Sequence, residues 1–175
     1  MTAPTYVIGI GEVLCGSMLL AATMALHGCG VLVTLRSTDA LKQRSGATGS
    51  GIAGIGILVV ASWMLVLLHL LEVVVWALFY FWSNALDTAH VNASLAYYFA
   101  LMEYTTIGSA YNLRLDWRLL EGMNGIAGLL TFAWSTGVLL TLAEEFQSKR
   151  LAALRARRQA GRNGQTADRE RTDSP

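Results

Sequence analysis

Charge is scarce in this sequence. Of 175 residues only 14% are Asp, Glu, Lys or Arg, against about 25% in an ordinary soluble domain. The net charge of +1 gives no electrostatic footprint for nucleic acid. Cysteine is nearly absent too. Cys15 and Cys29 both fall in one apolar stretch, roughly 21 Å apart along a helix. That is too far to bridge, so they read as small buried hydrophobes. There is no basic leader before the first apolar run, and that run exceeds a signal-peptide core of about 7–15 residues. It is therefore expected to be a retained span. No arginine ladder marks a voltage sensor. No nucleophile–base pair or cofactor motif marks an enzyme.

Apolar residues are abundant: 54% of the chain is hydrophobic and mean hydropathy is +0.45. Three runs, Val7–Leu35, Ile52–Trp82 and Leu119–Ala143, are each long enough to cross a hydrocarbon layer of about 30 Å. The fold class read from this pattern is all-α integral membrane. Basic residues set the orientation. The stretch 36–51 carries Arg36, Lys42 and Arg44 against Asp39, and the tail 144–175 carries Lys149, Arg150, Arg155, Arg157 and Arg158 among others. Both are expected on the cytoplasmic side of a cell membrane, with the N-terminus outside. The tail is expected to prolong the last helix to Gln159 and to be disordered from Gly161. Its basic cluster is either a topology signal or a contact for anionic lipid.

Between the second and third runs lies "NASLAYYFALMEYTTIGSAYN". From Asn92 to Tyr104 it is apolar and aromatic but spans only about 20 Å as a helix. Asn92 is a fitting N-cap. The spacing predicts a helix that enters a membrane halfway. The polar Thr105–Ser109 that follows needs burial in protein or a wet path, because irregular backbone is not tolerated against lipid. The short helix's C-terminal end favours a cation there.

A short apolar helix, then "TTIG", then "WRLLEG", with "HLLEVVVWALFY" before it and "GLLTFAWSTGVLL" after it, resembles the pore module of the potassium channel superfamily. The similarity is narrowest to small prokaryotic two-pore-domain-like members, and covers roughly residues 60–143. It implies three transmembrane helices plus a re-entrant pore helix and filter loop. Residues 1–35 would add an extra N-terminal helix to a pore module over 52–143. The resemblance also implies a homotetramer in which each chain lends one filter strand to a pore passing K+ and Na+. No cofactor is implied. The ion-pathway residues would be Thr105, Thr106, Ile107, Gly108 and Ser109, lending carbonyls that replace an ion's hydration shell. Glu103, Tyr104, Ala110 and Tyr111 would support them. Glu103 either hydrogen-bonds the loop from behind or faces a polar pocket. In the family the motif continues Gly-Tyr-Gly-Asp. Here Ser109, Ala110 and Tyr111 stand in those last three places, and alanine resists left-handed backbone by roughly 1–2 kcal/mol. The resemblance thus implies an ordinary inner half and an altered outer half.

Gly125, Gly128 and Gly137 on the last helix read as packing or gating glycines. His69 and Glu72, at i and i+3, are weak metal candidates: one pair is half a site. Their expected partner is Glu121 or Arg118. Glu12 is expected near the outer interface and wet, and His27 falls in no motif. Two further readings stand beside conduction. One is a non-conducting structural or regulatory subunit. The other is a membrane metal protein built on His69, Glu72 and Glu121.

Overall fold

A computed structural model describes residues 6–45 and 51–172. Among the described residues are four α-helices and one short 3-10 turn: α1 (Ile10–Ser45), α2 (Gly51–Trp82), α3 (Ala93–Tyr104), the turn Leu115–Trp117, and α4 (Leu119–Thr172). Three stretches, Ile10–Arg44, Ala53–Trp82 and Leu115–Ala160, are long and apolar enough to span a membrane. α3 has 12 residues, about 18 Å, and cannot.

The helices are longer than the apolar runs. Residues 36–45, expected as loop, continue α1. Their side chains explain why: Lys42 pairs with Asp39 at 3.0 Å one turn back and with Glu145 of α4 at 2.8 Å, and Lys42 and Arg44 sit in the last turn, where cations suit the helix dipole. The remainder of the expected loop, 46–50, lies outside the described residues. α4 likewise runs past Gly161, where the polar composition predicts disorder, to Thr172. The stretch holds Gln165, Ala167, Arg169, Glu170 and Arg171 and no proline before Pro175. Two glycines at about 1 kcal/mol each are then its main local cost. Residues 173–175 of the expected disordered tail lie outside the described residues.

The core sits where α2, α3 and α4 meet. Trp76 and Tyr80 of α2, Phe99 and Ala100 of α3, and Leu120 and Ala127 of α4 are fully buried there. The segment from α2 to α3 and the segment from α3 to α4 are pinned together by a single bridge, Leu86 with Leu113. Two flanking bonds, Asp87 N–H to Asn112 O at 2.9 Å and Arg114 N–H to Ala85 O at 2.8 Å, complete the clasp. Asn92 caps α3 as the sequence predicts, its Oδ1 accepting from Leu95 N–H at 2.8 Å.

Glu12 is not wet. It is 4% exposed and faces the starts of two helices. Its carboxylate accepts from Gly9 N–H at 3.4 Å and from Leu119 N–H at 2.5 Å, and also from Tyr6 Oη at 2.8 Å. A negative group placed among orphan helix N–H groups is favourable. Replacing Glu12 by Ala is expected to lower unfolding stability by about 1–2 kcal/mol, as loss of a good cap does. The check is the thermal midpoint in detergent, with Glu12→Gln expected to lose less.

Candidate functional site

The end of α3 and the four residues after it form one unit. The N–H groups of Thr105, Thr106, Ile107 and Gly108 all turn back to the helix: Thr105 to Leu101 O at 3.0 Å, Thr106 to Glu103 O at 2.9 Å, and Ile107 and Gly108 both to Met102 O, at 3.1 and 3.2 Å. These are the orphan carbonyls of a helix C-terminus. The Thr105 hydroxyl reinforces them, donating to Leu101 O at 2.9 Å. Among the described residues the carbonyls of Thr105, Thr106, Ile107 and Gly108 themselves accept no hydrogen bond.

Curling the chain this way needs left-handed backbone. Thr106 has φ 60° and Gly108 φ 79°, with Ile107 between them outside that region. Glycine adopts such angles without penalty. For β-branched Thr106 it is a true outlier, and such strain costs about 1–3 kcal/mol. The alternation stops at Gly108: Ala110 does not have positive φ. Ser109 instead makes a tight local turn, its Oγ accepting from Tyr111 N–H at 3.0 Å.

The expected support residues divide. Tyr104 is buried behind the loop. The Glu103 side chain is half-buried, and the Ser109 N–H is among the groups acting on its carboxyl. Ala110 and Tyr111 are exposed. Of the glycines, Gly128 lies where a Cβ would stand 1.9 Å from the backbone oxygen of Tyr104, and Gly125 where it would stand 3.4 Å from that of Glu103. Both let α4 approach the end of α3. Gly137, and Gly122 with it, meet nothing within 4 Å.

A second polar group lies directly beneath. Glu72 of α2 is fully buried, and so is His27 of α1, whose Nδ1 is 2.8 Å from Glu72 Oε1. The other carboxylate oxygen accepts from the Tyr104 hydroxyl and lies 3.4 Å from His69 Nδ1. Tyr104 Oη in turn lies 2.9 Å from His69 Nδ1 and 2.5 Å from Thr131 Oγ1 of α4. Ser135 Oγ, one turn further on, lies 3.1 Å from His69 Nε2 and 3.4 Å from His27 Nε2. The two imidazoles stack with centroids 5.4 Å apart. His69 also stacks on Phe132 at 4.4 Å, and Trp134 covers His27 at 5.3 Å.

Glu72 is thus partnered by His27, not by Glu121 or Arg118. Glu121 is engaged near the outer loop, accepting from Leu113 N–H at 2.6 Å, with Arg118 3.9 Å away. His27 escaped the sequence reading because 45 residues separate it from Glu72. A signal was present nonetheless. Thr23, His27, Val31, Thr34 and Thr38 recur at helical spacing on one face of α1, and all five are buried. Polar residues on a recurring stripe of an apolar helix mark the face turned inward. Asn124, Thr131 and Ser135 make the matching stripe on α4.

Comparison with family models, with curated proteins and with solved structures finds no match.

Proposed function

We propose that the chain is one subunit of a passive cation channel of the potassium channel type, with four copies joined around the loop Thr105–Gly108. The observation that carries this reading is the loop's polarity. Its N–H groups are spent on the C-terminal turn of α3, and among the described residues its carbonyls accept no hydrogen bond. Backbone of this kind at membrane depth needs water or an ion. Several carbonyls on one strand suit a dehydrating cation, and copies around an axis would make rings of them. The exposure of Ile107, 72% in the single chain, fits a surface that neighbouring copies cover. A cell-membrane location with a cytoplasmic C-terminus belongs to the same reading.

Selectivity follows from where the left-handed alternation ends. Thr106, Ile107 and Gly108 can supply inner rings, whereas Ser109 and Ala110 lack the glycine-dependent backbone. An ion at the outer end would keep some water, and the difference in dehydration cost between sodium and potassium would shrink. The expected permeabilities of sodium and potassium lie within about tenfold of each other, roughly 1.4 kcal/mol. The measurement is the reversal potential of purified protein in planar bilayers under a sodium–potassium gradient. A value at the potassium equilibrium potential contradicts the weakened outer half. Replacing Ser109 by Tyr and Ala110 by Gly together should move it in that direction.

The departure at Ser109, Ala110 and Tyr111 also favours one rival, a channel-like subunit that assembles without conducting. Cation flux into liposomes distinguishes the two. Tetramers without flux support the rival, and a stable monomer in mild detergent and in cross-linked membranes opposes both.

A further inference from the structure

The group around Glu72 is more than a set of helix contacts. His27, His69 and Glu72 each place one donor atom so that all three lie within 4.8 Å of one another, and all three residues are buried. They come from two different helices, so the cluster is a product of tertiary folding and not of local sequence.

Proton bookkeeping points to what the cluster holds. Both Nε2 atoms face one hydroxyl, Ser135 Oγ. A serine hydroxyl has two lone pairs but a single hydrogen. It can accept from two ring N–H groups but donate to only one ring nitrogen. With both rings neutral, either each Nε2 is an N–H donor to that oxygen, or one donates to it and the other accepts its hydrogen. In the first arrangement each Nδ1 carries a lone pair. Both of these face Glu72, at 2.8 and 3.4 Å, and an ionised carboxylate only accepts. Two lone pairs against an anion are stable when a cation lies among them. Tyr104 Oη, 2.9 Å from His69 Nδ1, offers a fourth oxygen on the same side.

We propose that His27, His69 and Glu72 bind a divalent transition-metal ion of the zinc class, through the two Nδ1 atoms and a carboxylate oxygen, with Tyr104 Oη at the fourth position. Two imidazoles and a carboxylate form a donor set of intermediate softness, without a thiolate, suited to Zn2+ and its neighbours. Metal–ligand bonds of about 2.0–2.2 Å place the corners of a tetrahedron about 3.3 Å apart. The 2.8 Å His27–Glu72 contact would open by about 0.5 Å and the 3.4 Å His69–Glu72 contact would barely change. Ser135 would then do for the ligands what a second layer of hydrogen bonds does in metal sites, fixing ring orientation through both Nε2–H groups. The site is complete within one chain and does not depend on conduction. Because Tyr104 is the last residue of α3, occupancy would also set the position from which the Thr105–Gly108 loop starts.

The test is titration of the purified, metal-stripped full-length protein in mild detergent with cobalt(II) alone, then zinc(II). Expected is the intense visible d–d absorption of a tetrahedral cobalt site, saturating at one ion per chain and bleached by zinc. His27→Asn and His69→Asn should each weaken cobalt binding at least about tenfold, and Ser135→Ala by about 10- to 100-fold. His90→Asn, which alters an exposed histidine elsewhere, should leave it unchanged. Wild-type protein that shows only the pale spectrum of the hydrated ion overturns the proposal, whatever the variants do. So does cobalt binding that persists in a folded His27→Asn/His69→Asn double variant. Histidine ring resonances that take up a proton, with no response to either metal, would assign the missing cation to a proton instead and overturn it equally.

Discussion

Replacing Gly128 by Ala is expected to destabilise the protein by about 1–3 kcal/mol, the range for forcing extra volume into a packed interior. Valine should cost more. The added Cβ would stand 1.9 Å from Tyr104 O and 2.9 Å from Tyr104 C. Those are backbone atoms, held by the helix they end, and cannot swing aside as a side-chain tip can. Either α4 moves outward or the end of α3 does. Gly122→Ala and Gly137→Ala meet no atom within 4 Å and should not destabilise, with a gain of up to about 1 kcal/mol from the better helix propensity of alanine. The measurement is the thermal midpoint of the three variants in one detergent. Equal midpoints for Gly128→Ala and Gly137→Ala would show that α4 does not press on α3 at Tyr104. Because Tyr104 precedes the loop directly, Gly128→Ala should also change whatever the loop does, while the control glycines should not.

The second large effect is expected at Glu72. Glu72→Ala removes the partner of His27 Nδ1 and the acceptor of the Tyr104 hydroxyl together. Each buried group left without a partner costs about 1–3 kcal/mol, and the vacated volume adds to that. The total expected loss is about 3–5 kcal/mol, the sum of the unpaired groups and the vacated volume. Glu72→Gln retains one carbonyl oxygen and should lose about half as much. The His27→Ala/Glu72→Ala double variant should be better than the sum of the singles, because the two residues share one interaction. Additive losses would mean that His27 and Glu72 do not depend on each other, contrary to their 2.8 Å contact.

The sequence and the structure agree most where local rules decide. The three long apolar runs reappear in three long helices because length and apolarity suffice to specify a span. Asn92 begins α3 because a cap needs only its own side chain and a neighbouring N–H. α3 ends at Tyr104 because the polar Thr105 and Thr106 follow. Boundaries set by partners far along the chain were not legible. α1 outlasts its apolar run because Lys42 finds Glu145, 103 residues away. Glu12 looked like a surface acid and is buried because it meets Leu119 N–H at the start of α4. The cluster around Glu72 was half visible. His69 and Glu72 share a helix face, so spacing exposes them, but the rotation that turns His27 towards them belongs to the packing of α1 on α2. The stripes on α1 and α4 would have given that rotation, since the polar face of an otherwise greasy helix is the one turned inward.

The two polar features differ in one respect that bears on how the protein is made. His27, His69, Glu72, Tyr104, Thr131 and Ser135 contact one another inside a single chain. The carbonyls of Thr105 to Gly108 accept no hydrogen bond among the described residues. A newly inserted chain can therefore bring α1, α2 and α4 together, and seat α3 between them, without waiting for another copy. If copies assemble as proposed, the protomer matures first and assembly joins finished pieces whose unmet bonding capacity is gathered in one short segment. Lesions in the buried stripes should then surface as poor insertion and degradation of the newborn chain, and lesions in the loop as mature protomers that fail to find one another.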